Sequence, residues 1–255
     1  MDALAREAAA ASGGRELTAV TSMTARRVGL VGGLGPESTI DYYRQILERW
    51  RRDDQASAPS IVIDSLDVGR ALQLVATDRT ALVDYLFSSV QRLTAAGVDF
   101  IAMTANTPHI VFDELASRSA VELLSIVEVC AGEARRLGLR RLLLLGTRST
   151  MEAAFYPTVF ARRALEVVTP DERARHWIHE RYIGELLEGV FREETRAELT
   201  ALAERMRREQ QVDGVILGGT ELPLLLPGAR IAGLPALDTT ALHVEAIVER
   251  LRGNA

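Results

Sequence analysis

Short apolar segments alternate with longer amphipathic segments along most of this chain. Residues 27–33 (RVGLVGG) are apolar and end in glycines, and residues 37–51 carry apolar side chains every three or four positions. A short apolar run predicts a β-strand, and the spacing of three or four predicts an amphipathic α-helix. The pattern predicts strands over 27–33, 60–66, 98–105, 123–126, 140–146, 165–168 and 213–219. It predicts helices over 37–51, 127–137, 150–164, 172–191, 193–211 and 239–251. Two further helices are predicted, one that begins at the capping residue Asp78 and ends at Gly97, and one that carries His109.

This alternation predicts an α/β fold with two parallel sheets, each covered by helices on both faces. We assign residues 26–121 plus 235–255 to a first α/β domain and residues 122–234 to a second. Residues 98–107 (VDFIAMTANT) and 212–221 (VDGVILGGTE) both run from Val-Asp through an apolar strand to a small-residue loop. The similarity suggests two related halves with a crevice between the carboxyl ends of their sheets, where α/β proteins bind ligands.

The composition and net charge limit which partners and which cellular setting the sequence predicts. The net charge of −5 and the isoelectric point near 5.5 give no reason to expect nucleic acid or an anionic membrane as a partner. No apolar run approaches the roughly 20 residues that span a bilayer. Residues 1–25 are Ala-rich but interrupted by charges, which predicts an N-terminal extension without a signal-peptide core. The single cysteine, Cys130, excludes an intramolecular disulfide and predicts a buried, inert thiol in a reducing, cytoplasmic setting.

The first loop with candidate chemistry follows the first predicted strand. Residues 32–39 (GGLGPEST) supply glycines that let the main chain approach a ligand, at the start of a helix whose N-terminus favours an anion. Gly33, Ser38 and Thr39 are therefore candidate ligands of a carboxylate or phosphate. A tight strand–helix turn is the alternative. A dinucleotide site is a poor fit because the glycine spacing is wrong and Pro36 intrudes.

Three further loops end predicted strands. Asn106, Thr107 and His109 follow the strand over 98–105, where a helix cap is the simpler interpretation. Thr220 and Glu221 follow two glycines, and Glu221 is either an acid or base or a solvent-facing carboxylate. Thr147 lies in a hydroxyl-rich loop. His176 and His179 lack the spacing and partners of a metal site, so we predict no metal.

Together these loops resemble the cofactor-independent aspartate/glutamate racemase family. The motif G-G-[LM]-[GS]-x-x-[SA]-T is met by residues 32–39, the family's Cys-Asn-Thr-x-His by 105–109 and its Gly-Cys-Thr-Glu by 218–221. Residues 145–156 and 238–243 match two supporting motifs. The resemblance implies two α/β domains related by a pseudo-twofold axis, an amino-acid-like carboxylate as ligand, no cofactor, and a homodimer.

The resemblance also implies roles for individual residues. Asn106, Thr107 and Thr220 would surround the substrate carboxylate, while Arg70 and Arg175 would clamp a second, side-chain carboxylate. In the family, two thiols on opposite faces of the α-carbon exchange its proton. Ala105 and Gly219 fall on those two positions, and neither side chain carries a proton. The two-thiol mechanism therefore cannot operate in this chain.

Three hypotheses follow from this departure. The first is an isomerase or lyase that acts on a small carboxylated substrate without a thiol, with His109 or Glu221 taking over proton transfer. The second is an inactive binding or regulatory homologue that keeps the ligand crevice. The third is a variant of an active racemase whose cysteines have been replaced.

Overall fold

A computed structural model describes residues 26–52 and 58–253, and the predicted N-terminal extension lies outside these residues. The strands are β1 Arg27–Gly32, β2 Ser60–Ser65, β3 Phe100–Met103, β4 Glu122–Leu124, β5 Arg141–Gly146, β6 Glu166–Val168, β7 Gly214–Gly218, β8 Arg230–Ile231 and β9 Leu234–Asp238. The α-helices are α1 Pro36–Arg51, α2 Val68–Thr77, α3 Arg79–Ala95, α4 Phe112–Arg118, α5 Ile126–Arg136, α6 Arg148–Glu152, α7 Phe155–Ala161, α8 Glu172–Gly184, α9 Glu193–Gln210, α10 Leu222–Leu225 and α11 Thr239–Leu251. Two 3-10 helices span Thr107–Val111 and Leu186–Glu188.

The strands form two sheets, and the predicted α/β class is confirmed. The first sheet has the order β2-β1-β3-β4 and is parallel throughout. The second has the order β6-β5-β7-β9-β8, with only the short β8–β9 pair antiparallel. Sheets of this kind need helices on both faces, because their strands are buried on both sides.

The core of the first sheet is divided by the alternation of its side chains. Leu30 packs with α1 and α11 on one face, whereas its neighbour Val31 packs with α3 on the other. Successive side chains of a strand point to opposite faces, so one apolar run supplies both layers. The second sheet has its own core, in which β5 and β7 are buried along nearly their whole length.

The strand pairing shifts the predicted boundaries between the two halves. β4 pairs with β3, so residues 122–124 belong to the first sheet rather than to the second domain. β9 pairs with β7, so residues 234–238 belong to the second sheet, although the sequence assigned the chain from 235 to the first domain. Only α11 returns to the first sheet, where Val244, Ile247 and Val248 enter its core.

The loop between β1 and α1 has a backbone that only glycine fits. Gly33 has a φ of 75°, and a β-carbon at this position would lie 2.1 Å from the carbonyl oxygen of Leu66. A side chain here would meet both a strained conformation and fixed main-chain atoms. The tight turn therefore requires Gly33, whatever else the loop does.

Two helix boundaries follow the predicted chemistry, and the longest helix that the sequence missed is α2. The Asp78 carboxylate accepts from the main-chain N–H of Ala81 and caps α3, and Gly97 ends that helix with a φ of 72°. The sequence did not predict α2. Within residues 26–52 and 58–253, no helix is long and apolar enough to cross a lipid bilayer.

Candidate functional site

The loops that follow β3 and β7 line one crevice, although their strands belong to different sheets. Ala105 and Asn106 contribute from the first loop, and Gly219, Thr220 and Glu221 from the second. Parallel strands end at the same edge of a sheet, and here the two edges meet. The volume of this crevice is about 40 Å³, well below the few hundred Å³ of a typical ligand pocket. The walls therefore leave room only for a small group unless they move apart.

Tyr182 occupies the space beside Gly219. A β-carbon built on Gly219 would lie 2.5 Å from both the hydroxyl oxygen and the Cε2 atom of Tyr182. No side chain fits at position 219 while Tyr182 keeps this place. Tyr182 comes from α8 and is buried. Its hydroxyl oxygen thus stands near the place that a side chain at 219 would reach.

Glu221 completes a buried hydrogen-bonded group with Tyr182. The Tyr182 hydroxyl donates to Oε2 of Glu221, and the Thr220 hydroxyl donates to the same oxygen at 3.1 Å. Glu221 is only 3% exposed, so its interpretation as a solvent-facing carboxylate is wrong. Burial raises the pKa of Glu221 above its usual range, opposed by the two hydroxyl hydrogen bonds. Burial, and then the Glu221 charge, raises the pKa of Tyr182.

The glycine-rich loop faces the same carboxylate. A β-carbon on Gly35 would lie 2.7 Å from Oε1 of Glu221, so the carboxylate stands at the start of α1. Thr39 accepts from the Gly33 N–H at 2.9 Å, and Ser38 donates to the Thr104 carbonyl at 2.8 Å. The predicted ligands of this loop are therefore bonded within the protein. The protein's own Glu221 carboxyl group occupies the position beside this helix N-terminus.

Asn106 ties the first loop to the second half of the molecule. Its Oδ1 accepts from the Tyr156 hydroxyl at 2.6 Å, and its Nδ2 donates to the Thr239 hydroxyl at 3.1 Å. Thr239 in turn donates to the carbonyl of Leu217 in β7 at 2.7 Å. The amide therefore holds the loop in place.

Three threonine hydroxyls meet at the side of the crevice. Thr107 lies 3.1 Å from both Thr147 and Thr150, and Thr147 and Thr150 are also 3.1 Å apart. Thr107 and Thr147 line the crevice. A hydroxyl donates one proton and accepts at two lone pairs, so this cluster can turn one of its protons toward a ligand.

His109 faces the main chain rather than the crevice. Its Nδ1 lies 3.1 Å from the Ala105 carbonyl oxygen, and its Nε2 accepts from the Ile126 N–H at 3.3 Å. Its ring stacks on Phe112 with 5.2 Å between centroids. Burial lowers the pKa of His109 to about 4, so the imidazole is neutral at pH 7. These contacts argue against the proton-transfer role that the sequence offered for His109.

The two candidate arginines are engaged elsewhere. The guanidinium of Arg70 stacks on the ring of Tyr85, 4.6 Å from its centroid. Arg175 donates to the Pro170 carbonyl at 2.7 Å and lies 3.4 Å from Glu152. Neither residue is among those that line the crevice. The carboxylate clamp predicted from the resemblance is not assembled here.

A larger hollow of about 440 Å³ shares no residue with the crevice. Its two arginines are already paired, since Arg79 bonds Glu114 and Arg162 lies 3.6 Å from Glu128. His176 and His179 do not form a metal site, because the first pairs with Glu180 and Nδ1 of the second accepts from the Arg148 N–H. In the ranges 26–52 and 58–253, no three His, Cys, Asp or Glu side chains are grouped to hold a metal ion.

Tyr182 is one of the site residues that the sequence did not reveal. It lies in the last turn of a charged helix, far along the chain from Gly219. A glycine where a family expects a larger side chain signals that another group fills the space. The sequence does not say which group.

The fold and the site together define a class of protein with two α/β halves and a shared crevice at their strand ends. The profile of the Asp/Glu/Hydantoin racemase family matches residues 31–247, and the chain belongs to this family. It is 23% identical to the broad-specificity amino-acid racemase RacX of Bacillus subtilis over 87% of this chain and 96% of that protein.

Solved structures agree with this assignment. A putative Asp/Glu racemase from Yersinia pestis superposes with a TM-score of 0.81 at 32% identity, over 89% of this chain and 99% of that one. An aspartate racemase homologue from Pyrococcus horikoshii gives a TM-score of 0.77 at 31% identity, with the same coverage.

Proposed function

We propose that this protein binds a small, amino-acid-like carboxylate in the crevice and transfers a proton on it without a thiol, as an isomerase or lyase. The observation that carries the proposal is the Tyr182–Glu221 pair, which fills the space beside Gly219 in a crevice that Ala105 also lines. Family membership supports an amino-acid-like ligand. The hydroxyls of Thr107 and Thr147 supply donors for its carboxylate.

The pair can relay one proton. As the α-proton of the substrate passes to the Tyr182 oxygen, the phenol proton passes to Glu221, and the substrate carbon keeps the electron pair. The raised pKa of Glu221 favours this step, because a carboxylate that accepts protons readily is the better base near neutral pH. Reversal returns a proton to the same face of the carbon.

Among the described residues of the crevice, the Ala105 side has no comparable group. Ala105 presents a methyl group, and His109 behind it bonds the main chain through both ring nitrogens. Racemisation needs a proton carrier on each face. One carrier suffices for exchange with retention, or for protonation of a carbanion left by decarboxylation.

Proton exchange in deuterated water tests the proposal. We expect at least one amino acid, from a panel of both enantiomers, to take up deuterium at the α-carbon and keep its configuration, measured by NMR and chiral chromatography. Rapid formation of the other enantiomer would contradict single-face transfer. Binding without exchange would instead support the inactive homologue, and absence of binding would refute the proposal altogether.

Tyr182→Phe is the sharpest variant, because it removes the hydroxyl and keeps the ring. We expect the exchange rate to fall by about 10²–10⁴-fold. Tyr43→Phe is the matched control, since Tyr43 is exposed on α1 and outside the crevice. Equal rates in the two variants would rule out Tyr182 as the proton carrier.

A further inference from the structure

One wall of the crevice is a helix face made of aliphatic side chains. Val68, Ala71, Leu72 and Val75 of α2 line it, at the spacing that places residues on one face of a helix. Leu34 also lines the crevice. Ala71 is the only α2 residue that is buried, and Leu72 remains 36% exposed. Apolar surface remains open along α2, beside the space where a ligand would lie.

The crevice also lacks a cation. Among its described lining residues, Glu221 is the only Asp, Glu, Lys, Arg or His, and a carboxyl group cannot serve as a cation. The chain contains no lysine, so a cationic partner would have to be an arginine or a protonated histidine. Arg70 lies on α2 but stacks on Tyr85.

A second carboxylate on the ligand would be poorly placed in these surroundings. It would lose its hydration against aliphatic side chains and would face Glu221 without a counter-ion. Burying a carboxylate without a partner is strongly unfavourable, whereas an apolar side chain gains from the same contact.

We infer that the ligand is a monocarboxylic amino-acid-like molecule with an apolar side chain, and that the α2 face binds that side chain. Aspartate and glutamate, which carry a second carboxylate, are therefore poor ligands. The inference rests on the proposed function, because it assumes that the crevice holds the ligand.

Equilibrium binding to the full chain tests the inference. The probes are both enantiomers of valine, leucine, aspartate and glutamate, measured by calorimetry. We expect valine or leucine to bind at least tenfold more tightly than aspartate or glutamate. Tighter binding of the dicarboxylic acids would overturn the inference and leave the proposed function intact, and absence of all binding would overturn both.

Leu72→Arg adds the missing cation to the same wall. Since Leu72 is partly exposed, this change is compatible with folding. We expect it to shift the preference toward the dicarboxylic acids by at least tenfold. Leu137→Arg is the control, because Leu137 is similarly exposed at the end of α5 and outside the crevice. If Leu72→Arg and the control show the same ratio of affinities for dicarboxylic and aliphatic amino acids, then α2 does not contact the ligand side chain.

Discussion

The loops at Ala105 and Gly219 follow comparable strands of the two sheets, yet their surroundings differ. At Ala105, a methyl group forms part of the crevice wall. At Gly219, the missing side chain is replaced by the ring and hydroxyl of Tyr182, which bonds Glu221. Resemblance alone treats both positions as lost thiols. Their surroundings distinguish them, because a methyl group stands at Ala105 whereas the hydroxyl of Tyr182 and the carboxyl group of Glu221 lie beside Gly219.

A titratable residue close to each position differs in the same way. His109, behind Ala105, gives both ring nitrogens to main-chain partners. Glu221, beside Gly219, is held by the hydroxyls of Tyr182 and Thr220, which are themselves exchangeable proton donors. A main-chain hydrogen bond holds a side chain in place but does not give it a partner that can exchange protons with it during a reaction. This is why our proposal assigns the proton carrier to the Gly219 side.

The largest effect that we expect is that His109 and Glu221 change the stability of the protein with pH in opposite directions. The pKa of His109 is lowered to about 4, so between pH 6.5 and 4 the unfolded chain binds a proton that the folded chain does not. As pH falls from 6.5 to 4, His109 therefore lowers the free energy of unfolding by on the order of 3 kcal/mol. The pKa of Glu221 is raised, so its contribution is present at low pH and is lost as pH rises through the raised value.

Urea unfolding from pH 4 to pH 8 checks both signs. His109→Gln should weaken the loss of stability as pH falls from 6.5 to 4. Glu221→Gln should weaken the loss of stability as pH rises through the raised pKa of Glu221. His243, whose pKa burial lowers to about 3, will keep part of the acid slope in every variant. His176→Gln is the control, because its side chain is 61% exposed. An acid slope unchanged by His109→Gln would contradict the neutral, buried state of that imidazole.

Cysteine substitutions at the two positions should differ by about 2 kcal/mol. Ala105 already has a β-carbon at the crevice, so Ala105→Cys should change the free energy of unfolding by less than about 1 kcal/mol. Gly219→Cys forces its β-carbon against Tyr182 and should destabilise by about 2–3 kcal/mol. Chemical denaturation of the two single variants measures the difference directly.

A double variant identifies the cause of that difference. If Tyr182 is the obstacle, Gly219→Cys should be neutral or stabilising in a Tyr182→Ala background, where the thiol partly fills the cavity. The same loss in both backgrounds would mean that the backbone at 219, rather than Tyr182, excludes a side chain. This coupling also implies that a cysteine pair at 105 and 219 needs a smaller residue at 182.

The sequence predicted those parts of the fold that rest on local pattern. β1, β5 and β7 are buried along nearly their whole length, which makes them continuous apolar runs that a sequence reveals. β9 was missed, because its five residues include Pro235 and give no clear apolar run. Its place in the second sheet follows from pairing with β7, which no local pattern encodes.

The candidate site can also be divided into features that the sequence predicted and features that it did not. Sequence motifs located the loops that form the crevice, because those loops end apolar strands. They did not reveal Tyr182, and they assigned Arg70 and Arg175 to a ligand although both bond other parts of the protein. The direction of a long side chain depends on its neighbours in space, so it could not be predicted from order along the chain.

The smallest effect concerns how firmly the Ala105 loop is held. Tyr156→Phe removes the hydrogen bond to Oδ1 of Asn106 and should lower the free energy of unfolding by about 1 kcal/mol, because the buried amide oxygen loses a donor. Tyr43→Phe is again the control and should change stability by less than about 0.5 kcal/mol, since Tyr43 is 44% exposed. Equal values for the two would mean that Tyr156 does not fix Asn106.

If only Tyr156→Phe is destabilising, and ligand binding also weakens, then Asn106 contributes by positioning the loop. The two sides of the crevice would then each depend on one buried tyrosine, with Tyr156 holding a loop and Tyr182 offering a proton.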